Sequence, residues 1–134
     1  MAEDVSSLLR RSVEHLADEV PDSYRLVLDS LGPLVVELDI DGELFSLRGG
    51  RRLEVSDGAA GVAGARVTTS RAAILDLLDA NVGLGEAVQA GTVGVRGSLD
   101  DILRAYDTLL AYLHATVRAP SQPGLLVALR AGTP

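Results

Sequence analysis

The sequence predicts an α+β fold, and three observations support that prediction. Up to residue 31 the apolar residues recur at helical spacing, whereas from Leu34 to Ile40 they alternate with acidic residues, as in a strand with one buried face. The dipeptide Asp41-Gly42 follows and is a strong signal for a two-residue hairpin turn. Ser98 then precedes a long apolar stripe, as the N-cap of a helix does. Helices before and after a run of hairpin-connected strands are typical of an α+β domain.

Residues 1–31 are predicted to form two helices. The first spans residues 3–20, and its single apolar stripe contains Val5, Leu8, Leu9, Val13, Leu16 and Val20. Glu3 and Asp4 fall in its first turn, where the helix dipole favours negative charge. Pro21 interrupts the pattern, and Gly32-Pro33 ends a second, shorter helix whose apolar face contains Tyr24, Val27, Leu28 and Leu31.

Strands are predicted in the centre of the chain. The first three alternate apolar and polar side chains and are joined by Asp41-Gly42 and Gly49-Gly50, so they form a meander. A Gly/Ala loop over residues 57–64 precedes the fourth strand, and Gly97 follows the fifth. The predicted strands cover residues 34–40, 43–48, 51–56, 65–69 and 92–96.

The second half of the chain alternates these strands with helices. Ser70 is placed as the N-cap of one helix, and Gly91 ends a short helix that begins near Leu84. Ser98 and Asp101 form a capping-box-like pattern at the start of the longest helix, which reaches residue 117. Its stripe consists of Leu99, Ile102, Leu103, Tyr106, Leu109, Leu110, Leu113 and Val117. A short apolar helix is predicted over residues 125–130, after two prolines.

Part of this pattern resembles a known family. Thr68-Thr69-Ser70 leads into a helix, and residues 84–98 read LGEAVQAGTVGVRGS, with Ala90-Gly91 and Arg96-Gly97-Ser98 as the most specific punctuation. This arrangement resembles the second half of sterol carrier protein domains, and the meander at 34–56 matches the layout of their first half. The chain is therefore identified as a stand-alone bacterial member of the sterol carrier protein (non-specific lipid-transfer) family.

The resemblance covers most of residues 25–117 and implies a particular architecture. It implies a five-stranded sheet in the order 3-2-1-4-5, with helices covering one face and an elongated apolar cavity between the two layers. Sterols, fatty acids or acyl chains occupy such cavities in the family. Phe45 is the single aromatic residue in the predicted strands of this chain, whereas such residues are frequent there in characterised members. We expect one domain over residues 1–134, with N-terminal helices at 1–31, a core at 34–117 and a C-terminal segment at 120–134.

Composition excludes several kinds of chemistry. The chain has no Cys, which excludes disulfides, thiolate metal sites and cysteine nucleophiles. It also has no Lys, which excludes Schiff-base catalysis and a Walker-type phosphate loop. The two histidines, His15 and His114, stand far apart with no recognisable carboxylate-His-Ser arrangement. We therefore expect no enzymatic activity, no catalytic residue, no metal and no cofactor.

Charge and hydropathy limit which partners and which cellular compartment are expected. A net charge of −7 and 3% aromatic residues argue against nucleic-acid binding, which needs a positive face or stacking platforms. No apolar run reaches the roughly 20 residues of a membrane-spanning helix, so no stable membrane insertion is expected. The acidic N-terminus is unlike a secretory signal. These observations predict a soluble, cytoplasmic protein.

The expected partner is an apolar small molecule or lipid, carried without catalysis. The residues predicted to line its cavity are Phe45, Leu78, Leu84, Val88, Leu103, Tyr106, Leu110, Leu126 and Leu129. Tyr106 is the candidate polar anchor for a ligand headgroup, since a buried Tyr hydroxyl needs a partner. Arg48, Arg51 and Arg52 surround Gly49-Gly50, and this basic turn is either a contact for an anionic headgroup or membrane surface, or a solubilising turn.

Two alternatives remain open at the level of sequence. Inward-facing Leu, Val, Ile and Ala suit an open cavity and a filled core equally well. With a filled core, the same fold would serve as a protein-interaction or self-association module, and a homodimer is possible. The C-terminal segment with Leu125, Leu126 and Leu129 is either a lid over the cavity or a dimer contact.

Overall fold

The computed structural model describes residues 4–58 and 61–131. Two helices come first, then a meander and a fourth strand, then helices on either side of a fifth strand. The elements are α1 (Val5–Glu19), α2 (Pro21–Leu31), β1 (Val35–Ile40), β2 (Glu43–Arg48), β3 (Glu54–Asp57), β4 (Ala65–Thr69), α3 (Arg71–Leu78), α4 (Leu84–Ala90), β5 (Gly94–Gly97), α5 (Leu99–Arg118) and α6 (Gln122–Ala131).

The strands form one sheet in the order β3-β2-β1-β4-β5, which confirms the predicted α+β fold and strand order. Neighbouring strands are antiparallel except β1 and β4, which pair in parallel and leave β1 at the centre. Leu38 of β1 lies opposite Phe45 of β2 and Val67 of β4, so these three side chains share one face. The register therefore brings the apolar residues of the central strands together beneath the helices.

The two faces of the sheet differ in polarity. Val36, Leu38 and Ile40 of β1 are buried on the helix-covered face, whereas Glu37 and Asp39 point to the opposite face. On that opposite face the Glu37 carboxylate pairs with the Arg66 guanidinium on β4, with the charged atoms 3.1 Å apart. The alternation in the sequence thus reports a sheet with one apolar and one polar face.

The predicted turns and caps are largely as expected. Asp41 and Gly42 both have positive φ, at 52° and 88°, as a two-residue hairpin of the Asp-Gly type requires. Ser70 accepts a hydrogen bond from the Ala73 amide at the start of α3, and Ser98 accepts one from the Asp101 amide at the start of α5.

The start of α1 differs from the prediction. Asp4 is the N-cap residue and makes no side-chain capping bond, and Glu3 lies outside the described residues. The first amides of the helix are instead capped by a residue of β2. Val5 N–H and Ser6 N–H donate to the two carboxylate oxygens of Glu43, at 2.8 and 2.9 Å.

Several other boundaries also shift. The meander's third strand begins at Glu54 and not at Arg51, because Leu53 precedes the ladder that pairs β2 with β3. The fifth strand occupies 94–97 and not 92–96, with Gly97 opposite Ala65. The last helix starts at Gln122 and includes Pro123, which a helix tolerates in its first turn. Pro21 likewise begins a helix, since it is the first residue of α2.

Candidate functional site

A cavity of about 420 Å³ lies between the helix-covered face of the sheet and the helices. This volume falls within the roughly 300–1,000 Å³ range of small-molecule sites. The sheet contributes Val36, Leu38, Ile40, Phe45, Leu47 and Val67, and the helices contribute Leu8, Leu9, Val13, Leu109, Leu113 and Leu125 among others. A predominantly aliphatic enclosure of this size is suited to an apolar molecule.

The cavity reaches the surface where α5 ends and α6 begins. Val117 and Pro123 both belong to the lining, yet both are exposed, with Val117 retaining 82% of its accessible surface. Deeper in the cavity, Leu38, Phe45 and Val67 are each 7% exposed or less. The site is therefore a cleft that is accessible near Val117 and Pro123 and buried at the sheet.

Small residues on α5 leave much of the space. Ala105, Thr108 and Thr116 are buried on the helix face that lines the cavity, where longer side chains would reach toward the sheet. On its other side α5 packs closely against α2, and the Arg104 and Arg118 guanidinium groups bond the Ser30 carbonyl and the Ser23 hydroxyl. The small side chains on the cavity face of α5 therefore leave space between this helix and the sheet.

Five of the predicted cavity residues line the cavity, namely Phe45, Leu78, Leu84, Leu126 and Leu129. Phe45 is fully buried on the sheet, Leu78 and Leu84 belong to α3 and α4, and the last two belong to α6. They come from four separate elements that the fold brings together around one space. Their role in ligand binding remains a prediction.

Four predicted residues lie elsewhere. Leu103 is 54% exposed and Val88 is 36% exposed, so neither faces the interior. Tyr106 packs against α4, where its hydroxyl would lie 3.4 Å from a Cβ at position 85, and Leu110 packs in the core without reaching the cavity. The physical reason is that α5 contacts neighbours on two sides, so one part of its apolar stripe faces the cavity and another part does not.

The arginines of the β2–β3 turn also lie outside the cavity. Arg48, Arg51 and Arg52 are exposed, and none of them belongs to the lining. Their neighbour Leu53 does line the cavity, and its amide donates to the Tyr24 hydroxyl at 2.8 Å. A contact between these arginines and a headgroup or a membrane surface remains a prediction.

One polar cluster interrupts the aliphatic lining. Ser12 of α1, Tyr112 of α5 and Gln122 of α6 all line the cavity, and the Ser12 and Tyr112 hydroxyl oxygens are 2.5 Å apart. Ser12 Oγ donates to Gln122 Oε1 at 2.9 Å, so the Tyr112 hydroxyl donates to Ser12. Gln122 Nε2 in turn donates to the Ser12 carbonyl at 3.2 Å. The cluster joins three helices at the cavity.

Tyr112 is neutral at physiological pH. The protein encloses its hydroxyl, and this desolvation raises the pKa of Tyr112, while the hydrogen bond with Ser12 acts in the opposite direction. The group is thus held as a phenol, which can donate one hydrogen bond and accept others.

The hydroxyl groups of the three threonines in the lining all donate to backbone carbonyls. Thr108 Oγ1 donates to the Arg104 carbonyl at 2.8 Å, and Thr116 Oγ1 donates to the Leu113 carbonyl at 2.7 Å. Thr69 Oγ1 donates to the Thr92 carbonyl at 2.8 Å. Because each hydroxyl proton is donated to a backbone carbonyl, the methyl groups of these threonines remain available to the cavity.

Polar contacts at both ends hold α6 over the cavity. The Glu19 carboxylate accepts from the Ser121 amide at 3.0 Å and from the Ser121 hydroxyl, and these two hydrogen bonds lower the pKa of Glu19. At the far end, Arg130 pairs with Asp79 at 2.5 Å. The apolar face of α6 contributes Leu125, Leu126 and Leu129 to the lining.

Sequence reasoning did not identify the contribution of α1 or the polar cluster. The apolar stripe of α1 was visible, but nothing in it distinguishes a helix that packs in the core from one that lines a cavity. Likewise Tyr106 and Tyr112 belong to the same helix, and only the orientation of α5 decides which of them faces the cavity.

Neither a metal centre nor a membrane-spanning helix is found in the part of the chain that the structure describes. In residues 4–58 and 61–131, no group of three or more His, Asp or Glu side chains is arranged to hold a metal ion. Within the same ranges, no helix combines the length and the apolar character needed to cross a membrane.

Known proteins were compared by sequence and by structure. No family model matches the chain, and no curated protein matches it by sequence. Solved structures do match. The UbiJ-SCP2 ubiquinone synthesis protein is 18% identical, with a TM-score of 0.60 over 80% of this chain and 95% of that one. The sterol carrier protein domain 2 of Helicoverpa armigera is 11% identical, with a TM-score of 0.58 over 84% of this chain and 94% of that one. The palmitated SCP2L2 of Aedes aegypti is 21% identical, with a TM-score of 0.56 over 81% of this chain and 95% of that one.

Proposed function

The chain has the sterol carrier protein fold, and from this premise we propose that it is a non-catalytic carrier of an apolar molecule. The observation that supports the proposal is the cavity of about 420 Å³ between sheet and helices, with its largely aliphatic lining. A structural neighbour, SCP2L2 of Aedes aegypti, is known in a palmitated form. We infer that this chain holds an acyl chain or a comparable elongated lipid in the cavity between its layers.

Burial of alkyl surface would drive binding. Each 100 Å² of apolar ligand surface removed from water contributes roughly 2.5 kcal/mol before the cost of ordering the ligand is subtracted. An aliphatic wall discriminates between similar chains mainly by length and shape, because one methylene changes the affinity only modestly. The carrier is therefore expected to accept several chains of similar length.

The cavity argues against the alternative function, that of an interaction module. That alternative requires a filled core, whereas side chains from α1, α5, α6 and the sheet here surround open space. Because α6 lies across this space, its interpretation as a lid is favoured over a dimer contact. Val127 on the outer side of α6 is 66% exposed, so self-association through that surface remains a secondary prediction.

We propose a cytoplasmic location and transient contact with anionic membrane surfaces through the exposed turn at Arg48, Arg51 and Arg52. Each Arg near such a surface contributes about 1 kcal/mol of attraction. The net charge of −7 opposes stable adsorption, so the contact would be brief.

The first experiment is native mass spectrometry of the protein purified gently from its own host, followed by organic extraction. A stoichiometric lipid adduct that extraction removes is the expected result. A mass without adduct, together with no saturable uptake of a fluorescent fatty acid or sterol, would contradict the carrier proposal and favour the interaction module.

A pair of variants locates the site. Leu109 and Leu110 are adjacent, half-buried residues of α5, but only Leu109 lines the cavity. Leu109→Trp should fill part of the cavity and weaken uptake of the fluorescent probe by tenfold or more, whereas Leu110→Trp should leave uptake within about twofold of the parent. The chain has no Trp, so each variant also carries a single intrinsic fluorophore, and only that of Leu109→Trp should respond to ligand. If Leu109→Trp and Leu110→Trp change uptake of the fluorescent probe equally, the ligand binds elsewhere.

A further inference from the structure

Among the described residues that line the cavity, none carries a charge that could neutralise a charged ligand. Its described lining consists of aliphatic and aromatic residues with Ser, Thr, Gln and Pro, and none of these described residues is Arg, His, Asp or Glu. An ionised carboxylate enclosed by such a lining would lose its hydration without gaining a counter-charge, which is strongly unfavourable. The overall charge of −7 adds to the repulsion of an anion.

The polar cluster of Ser12, Tyr112 and Gln122 has hydrogen-bonding capacity to spare. Tyr112 uses its proton on Ser12 and keeps a lone pair, and Gln122 uses one of its two Nε2 protons on the Ser12 carbonyl. Among the described residues, no other group forms a hydrogen bond with Tyr112 Oη or with Gln122 Nε2. The cluster thus offers one acceptor and one donor side by side, which is the complement of a hydroxyl group.

The cluster also lies at the correct end of the cavity. Ser12 is only 3% exposed, while Gln122 is next to Pro123 at the accessible rim. A molecule with its chain against the sheet would therefore place its polar end at the cluster, just inside the opening.

We propose that the cavity selects an uncharged long-chain alcohol over an ionised fatty acid, and that Tyr112 and Gln122 bind its hydroxyl group. The inference rests on the proposed carrier function and names the ligand class for the same site. The ligand hydroxyl donates to Tyr112 Oη and accepts from Gln122 Nε2, so both polar atoms are satisfied and no charge is buried.

The test uses three probes that share a twelve-carbon chain. Dodecan-1-ol offers a donor and an acceptor, dodecyl methyl ether offers only an acceptor, and dodecanoate is ionised at pH 8. Each probe displaces an environment-sensitive apolar dye from the full-length protein. We expect dodecan-1-ol to bind about tenfold more tightly than dodecanoate, and about fivefold more tightly than the ether.

Variants assign the effect to the cluster. Tyr112→Phe removes the acceptor of the ligand's hydroxyl proton and should reduce the affinity ratio of alcohol to ether toward one. Gln122→Leu removes a donor to the oxygen that both probes carry, so it should weaken binding of both and leave their ratio nearly unchanged. Tyr106→Phe on the same helix and Gln89→Leu, an exposed glutamine of α4, are the matched controls and should leave both the ratio and the two affinities unchanged. Because the ratio is measured within one variant, a general loss of stability does not alter its meaning.

The outcomes separate this inference from the carrier function. If none of the probes displaces the dye, the carrier function itself fails. If all three bind and dodecanoate equals or exceeds dodecan-1-ol, the cavity is a carrier without selection for neutral ligands, and the inference is wrong. An unchanged ratio of alcohol to ether in Tyr112→Phe, or unchanged affinities for both probes in Gln122→Leu, would overturn the assignment to the cluster.

Discussion

Removal of the Glu43 carboxylate should destabilise the protein more than any change at the N-cap residue of α1. Glu43 belongs to β2, yet its two carboxylate oxygens accept hydrogen bonds from Val5 N–H at 2.8 Å and Ser6 N–H at 2.9 Å. Asp4 occupies the N-cap position without a side-chain bond to the helix. The helix is therefore capped across the tertiary structure and not by its own flanking residue.

The magnitude follows from these two contacts. Loss of a side-chain cap costs about 1 kcal/mol, and loss of a negative charge at a helix N-terminus costs a further 0.3–1 kcal/mol, roughly. Glu43→Ala should thus lower the free energy of unfolding by about 2 kcal/mol. Glu43→Gln keeps one acceptor oxygen and should lower it by about half as much. Asp4→Ala removes an exposed side chain and should change it by less than about 0.5 kcal/mol.

Urea unfolding of ligand-free protein, followed by far-UV circular dichroism, measures the three variants against the parent. A loss of about 2 kcal/mol corresponds to a fall of roughly 1 M in the midpoint, at a slope that should not change. If Asp4→Ala lowers the midpoint as much as Glu43→Ala does, the cap is local, and the reasoning from the contact between β2 and α1 is wrong.

Two further predictions concern a glycine and a carboxylate. Gly97→Ala should destabilise the fold by about 2 kcal/mol or more, because φ is 149° and a Cβ would lie 2.5 Å from the Gly64 carbonyl oxygen. The control Gly124→Ala in α6 meets no atom within 4 Å and should be neutral or slightly stabilising by thermal unfolding; an equal loss at both positions would contradict the argument. Because hydrogen bonds from Ser121 lower the pKa of Glu19, the attachment of α6 should be complete above the usual Glu pKa of about 4.3 and weaken as pH falls through the lower folded value. Hydrogen-exchange protection of α6 should show this decline in the parent and not in Glu19→Gln, and identical profiles would show that Glu19 is not responsible.

Much of the fold could be predicted from local patterns. The alternation in β1, the Asp41-Gly42 turn and the caps at Ser70 and Ser98 each depend on residues close in sequence, so the printed sequence contains the whole signal. The order of the strands was predicted only through the family resemblance, since the parallel pairing of β1 with β4 joins segments far apart in the chain.

The candidate site was predicted less well. Leu103, Tyr106 and Leu110 of the predicted α5 stripe lie outside the cavity, whereas Leu109, Leu113 and Val117 of the same stripe line it. Helical spacing identifies which residues share a face, and it does not say which neighbour that face meets. The apolar stripe of α5 is broad and meets neighbours on two sides, so only part of it faces the cavity.

The sequence by itself determined the elements, the apolar face of the sheet and the absence of cysteine and lysine chemistry, because periodicity, turn residues and composition are local properties. The tertiary structure alone decided that the core contains open space, that Glu43 caps α1 and that Ser12, Tyr112 and Gln122 meet at the cavity. Each of these depends on how side chains from distant segments fill, or fail to fill, the volume between two layers. An apolar pattern specifies that a residue is turned away from water, whereas the distance to the opposite wall is set by packing.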